Sequence, residues 1–65
     1  MPRDNDAINR RIGRNLRFHR TQQGLSQAEL GQAIGVTFQQ LQKYESGSNR
    51  IAASRLYKVS RALRV

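Results

Sequence analysis

The chain has 65 residues, with 12 Lys and Arg against 4 Asp and Glu, a net charge of +8, and no cysteine. That length allows one domain, which buries only ~60% of the surface its unfolded chain exposes, and neither a disulfide nor a thiolate-held zinc can reinforce it. No apolar run approaches the ~18 residues of a membrane span, and the missing cysteines fit a reducing cytoplasm; so basic a chain points to a polyanionic partner, nucleic acid ahead of anionic lipid.

Residues 1–6 read as a flexible N-terminal arm without a secretory hydrophobic stretch, and residues 7–65 as the folded domain. Arg3 belongs to that mobile tail. The first helix is predicted from Ala7 to Gln23, capped by Asp6, whose carboxylate can accept from free first-turn amides. Ile8, Ile12 and Leu16 recur every four residues as an apolar stripe, with Arg10, Arg11, Arg14 and Arg17 on the other faces. Gly24 ends the helix, because glycine enters the left-handed region without a Cβ clash.

The second helix is predicted from Gln27 to Ile34, with Leu30 and Ile34 inward. Ser26 and Glu29 have the spacing of a capping box, each side chain reaching the other's amide. The third runs from Phe38 to Glu45, capped by Thr37 and stopped near Gly47, with Leu41 and Tyr44 inward. The fourth runs from Ala53 to Leu63, with Leu56, Val59 and Leu63 inward. No segment alternates with period two, so no strand is expected.

Only Gly35-Val36-Thr37 separates the second and third helices. Two short helices joined by a three- to four-residue turn containing glycine describe a helix-turn-helix. The turn needs a residue free to take positive φ, which Gly35 supplies. A small residue is needed on the second helix where the third passes, and Gly31 stands there. Leu30, Ile34, Val36, Leu41 and Tyr44 supply the apolar wedge.

On these residues, the run GLSQAELGQAIGVTFQQLQKYE from Gly24 to Glu45 resembles the phage-repressor (Cro/C1-type, XRE-type) helix-turn-helix regulators. The likeness extends over about residues 8–65. It implies an all-α, compact four- to five-helix, lambda-repressor-like DNA-binding domain. It also implies a transcriptional regulator, with a repressor first in view, on double-stranded DNA and as a homodimer on a palindromic operator. An antitoxin that also binds a toxin, or a protein-interaction adaptor on the same fold, are the alternatives.

In such proteins the N-terminal part of the second motif helix meets base edges in the major groove. Phe38, Gln39, Gln42 and Lys43 lie opposite the inward residues and are the expected base-contacting set. The Gln39 amide offers one donor and one acceptor, matching the N6 and N7 edge of adenine. Gln42 is a second amide reader or a water-bridged contact. Lys43 can donate to guanine or to a phosphate, and Phe38 can pack on a thymine methyl or remain a surface aromatic. Gln27, Thr37, Gln40, Ser48, Asn49 and Arg50 are the expected phosphate contacts. The family's use of the glutamine matching Gln27, at a helix start rich in free amides, supports that position most directly. The resemblance also implies a buried Arg20–Glu45 salt bridge. A straight helix cannot aim Arg14, Arg17 and Arg20 together at DNA, so Arg14 and Arg17 read as solvated charge.

Two positions depart from the family pattern. Relatives often have Ser or Pro where Ala52 stands, and Ala52 cannot cap the fourth helix. Relatives also tend to have Gly in place of Arg64, followed by a fifth short helix.

Nothing in the chain reads as the site of an enzyme. His19 has basic neighbours and no carboxylate to orient it, and no paired carboxylates, phosphate-binding glycine loop or metal-ligand cluster is visible. No cofactor, metal or membrane partner is expected.

Overall fold

The computed structural model describes residues 4–65. It comprises four helices: α1 (Asp4–Gln22), α2 (Gln27–Ile34), α3 (Phe38–Ser46) and α4 (Ala53–Leu63). The chain starts into α1 earlier than expected. Asp6 lies inside the helix rather than capping it, and residues 4–6 of the predicted arm are helical. Residues 1–3, including Arg3, lie outside the described residues.

The starts of α2 and α3 are held by their own side chains. Ser26 Oγ accepts from the Glu29 amide at 3.0 Å, and the Ser26 amide donates to Glu29 Oε1 at 2.8 Å. Thr37 Oγ accepts from the Gln40 amide at 3.1 Å. Because these bonds satisfy first-turn groups within a few residues, the second and third helices begin where the sequence places them. Gly35 closes α2 at φ 80° and ψ 31°, a left-handed geometry that costs glycine no Cβ clash.

Leu16, Leu30, Ile34, Leu41, Val59 and Leu63 form the core, with Leu25, Val36, Tyr44, Ile51 and Ala62 packed against it. Leu30, Ile34, Leu41 and Leu63 are fully buried, each contributing on the order of 1.5–3 kcal/mol by transfer from water. Of the expected inward residues, Ile12 is only half-buried and two are exposed. Ile8 is 54% exposed, because the N-terminal turns of α1 extend beyond the helices that cover the rest of it. Leu56 is 36% exposed and lines a groove between α1 and α4 with Ile12, Leu16, His19, Val59 and Leu63.

Close approach rests on backbone. A Cβ on Gly31 would lie 2.7 Å from the Val36 carbonyl oxygen, so it is the turn, rather than the body of α3, that passes over Gly31. Gly13 has the same function between α1 and α3, where a Cβ would lie 2.5 Å from the Glu45 carbonyl oxygen.

Long-range polar bonds tie the remaining helix ends. Arg55 of α4 donates from Nη1 to the Ile34 carbonyl at 2.5 Å, satisfying an end carbonyl of α2. Gln23 Nε2 donates to the Leu63 carbonyl, joining the end of α1 to the end of α4. Ala52 makes no side-chain cap bond, and α4 closes on Arg64 at φ 58°, the one positive-φ non-glycine among the described residues.

Candidate nucleic-acid interface

Helix α3 is amphipathic across the turn it belongs to. Leu41 is fully buried and Glu45 is 7% exposed, which anchors one side. Phe38, Gln39, Gln42 and Lys43 are all exposed, with Gln39 and Lys43 turned furthest from Leu41 and Phe38 beside Glu45. Phe38 is 46% exposed, so its ring is not absorbed into the core. The four expected base-contacting residues thus share one open helix surface. Gln40 differs, being half-buried at the edge of that surface.

Glu45 is held by three donors. Arg20 donates from Nε to Oε2 at 2.6 Å and from Nη2 to Oε1 at 3.0 Å, a two-pronged pairing across the α1–α3 contact. Gln27 Nε2 also donates to Oε1 at 3.0 Å. Arg20 uses a further N–H, from Nη1, on the Leu25 carbonyl at 2.7 Å. The buried carboxylate is compensated by charge and by hydrogen bonds, which burial requires. This pair was expected, but the Gln27 bond was not. It fixes the Gln27 side chain against the base of α3 and commits one of its two N–H groups, leaving the other and the amide oxygen.

The loop after α3 is folded around one carbonyl. The Ser48 and Asn49 amides donate to the Lys43 oxygen at 3.1 and 3.2 Å. The hydroxyls of Ser46 and Ser48 also donate to it, at 3.1 and 3.3 Å. Ser48 and Asn49 therefore have their amides committed to the loop, so any anion contact must come from side chains, and from Ser48 only if its hydroxyl turns away from the Lys43 oxygen. Ser48, Asn49 and Arg50 are exposed. Thr37 is exposed too; its oxygen accepts from Gln40, which leaves its O–H proton to donate.

The Glu29 carboxyl has its ionisation shifted by the capping box. The Ser26 amide donating to it, with a lesser effect from the Ser26 hydroxyl, holds it below its ordinary value of 4.5. Among the described residues, no group of three or more His, Cys, Asp or Glu could hold a metal ion, and no helix is long and apolar enough to cross a membrane.

Among solved structures, the crystal structure of the restriction-modification controller protein C.AhdI from Aeromonas hydrophila is similar, with a TM-score of 0.89 and 28% identity. The match covers 97% of this chain and 91% of that one. Among curated proteins, the uncharacterized HTH-type transcriptional regulator y4aM of Sinorhizobium fredii is 57% identical over 60 residues, 92% of this chain and 42% of that protein. An uncharacterized transcriptional regulator in the ATPase CF(0) region of Rhodospirillum rubrum is 50% identical over 58 residues, 89% of this chain and 54% of that protein. The chain thus spans about half the length of such relatives. Neither the family nor the solved neighbour is enzymatic. The family model for helix-turn-helix domains matches residues 16–65, which takes in the paired helices, their turn and the Arg20–Glu45 bridge, and the chain belongs to the Cro/C1-type (XRE-type) helix-turn-helix family of transcriptional regulators.

Proposed function

We propose that this domain recognises a specific double-stranded DNA sequence by laying α3 in the major groove, and that it regulates transcription from the cytoplasm by occupying promoter DNA, as a repressor. The observation that carries this reading is the division of α3. Leu41 and Glu45 anchor it, while Phe38, Gln39, Gln42 and Lys43 are exposed, Gln39 and Lys43 on the side opposite Leu41. Gln39 reads adenine through its paired donor and acceptor, and Phe38 meets a thymine methyl. Gln27, Thr37, Gln40, Ser48, Asn49 and Arg50 set the register on the phosphates.

One module makes few contacts, so a single copy binds weakly. Two copies on a palindrome, with half-sites ~10 bp apart or a multiple of that, raise affinity and fix spacing. Selection of binding sites from a random DNA pool yields the operator and the spacing together. Gln39→Ala then weakens binding at the selected site by about 1–3 kcal/mol while sparing random DNA. Equal binding of both DNAs by both proteins would remove base reading and leave an adaptor on the same fold.

A further inference from the structure

Twelve basic residues are more than the α3 surface and its loop employ. Arg20 is consumed by Glu45, and Arg55 by the end of α2. On α1, Arg10, Arg14 and Arg17 are all exposed, and the ion pair of Arg20 with Glu45 is the only one among the described residues.

Their placement follows from the α1–α3 crossing. Gly13 marks the line of contact, against the carbonyls of Tyr44 and Glu45. At ~100° per residue, Arg10, Arg14 and Arg17 fall within about 60° of one another on one flank of that line, spread over roughly 10 Å of helix. Leu16 and Ile12 fall on the other flank, the side that meets the core and α4. The exposed residues of α3 also leave the crossing on the side away from the core: beyond Glu45, away from Leu41, come Gln42 and Ser46. Both surfaces therefore open in the same direction. At the far end, α1 lies directly against the loop that follows α3. A Cβ on Gly47 would sit 2.7 Å from both the Cα and the Cγ of Arg10. Arg10 thus stands beside the segment that carries Ser48, Asn49 and Arg50.

We infer that Arg10, Arg14 and Arg17 form a second phosphate-binding stripe, which holds the DNA backbone flanking the α3 site. The inference rests on the proposed DNA binding and extends it to residues that contact no bases. Free guanidinium groups continuous with a DNA-facing loop bind phosphate by displacing condensed counterions, an effect independent of sequence. Arg11, the remaining exposed arginine of α1, points away from the crossing and stands outside the stripe.

The test compares two triple variants that each remove three positive charges. Arg10→Ala/Arg14→Ala/Arg17→Ala empties the α1 stripe. Lys58→Ala/Arg61→Ala/Arg64→Ala removes exposed charge from α4, which packs on α2 and α1. Binding to a fluorescent mixed-sequence 30-bp duplex is measured by anisotropy between 50 and 200 mM salt, with helicity checked by circular dichroism. Each phosphate contact adds ~0.9 to the salt slope. Over this range the wild-type chain should therefore lose roughly 10- to 40-fold more affinity than the α1 variant. The α4 variant should keep the wild-type slope. Equal slopes for the two variants, or a wild-type slope in the α1 variant, overturn the inference. Should the α1 triple unfold, Arg14→Ala/Arg17→Ala, which leaves the Arg10 stem packed on Gly47, gives the same comparison with about two contacts removed. Failure here leaves the Gln39→Ala discrimination intact, whereas failure of base reading leaves this slope difference intact. A wild-type chain that binds no duplex overturns both.

Discussion

Gly13 and Glu45 meet backbone to backbone: a Cβ at position 13 would lie 2.5 Å from the Glu45 carbonyl oxygen. Two effects oppose each other in Gly13→Ala. Alanine is the better helix former by about 1 kcal/mol, yet the added methyl pushes α1 off α3 against backbone that cannot rotate away. Overpacking of this kind costs about 1–3 kcal/mol, so net destabilisation is expected, read as a lower urea midpoint. A rise in midpoint would show that the helices separate freely at this point.

The Arg20–Glu45 pair should be costly to break and cheap to replace. Removing one partner leaves a buried charge and costs about 3–5 kcal/mol. A core in a chain this short supplies about that much in total. Arg20→Ala or Glu45→Ala should therefore be largely unfolded at 25 °C by circular dichroism. Arg20→Met combined with Glu45→Leu should recover much of the fold, because no charge is then buried alone.

Helix α4 lacks a side-chain cap at Ala52, whose φ of −68° and ψ of 150° already suit a capping residue. Ala52→Ser should stabilise the domain by about 0.5–2 kcal/mol, visible as a higher melting temperature. An unchanged melting temperature would mean that the first amides of α4 are already satisfied by solvent at no cost.

Glu29 links stability to pH. Its carboxyl is held below 4.5 in the folded chain by the Ser26 amide, so the capping-box bond is strongest with the carboxylate ionised. A carboxyl depressed on folding contributes stability above its unfolded value, and that contribution fades as pH falls through the folded value. Glu29→Gln keeps a capping-box acceptor without the titration. Melts of the two proteins between pH 6 and pH 3 should converge as the wild-type chain loses its advantage.

The bonds that bound α2 and start α3 were legible because they close within a few residues. Ser26 with Glu29, Thr37 with Gln40, and the positive φ of Gly35 depend on adjacent chemistry, and each holds in the folded chain. The amphipathic division of α3 was legible for the same reason, since a 3.6-residue period sorts its side chains before any partner is chosen. The Arg20–Glu45 pair came from family likeness; spacing alone could not bring together residues 25 apart.

What stayed hidden depends on where one helix crosses another. Ile8 and Leu56 fit the apolar patterns of their helices, yet neither is buried, because periodicity gives a face and not the extent of its cover. The close approach of α3 to Gly13 shows only in the packed chain. Gln27 carried no sign that Glu45 would take one of its amide hydrogens. The arginines of α1 read as dispersed charge until the crossing at Gly13 put Arg10, Arg14 and Arg17 on its outer flank. Bonds and bends spanning a few residues are set by neighbouring side chains, whereas burial, close approach and the common direction of separate helices exist only once distant segments have packed.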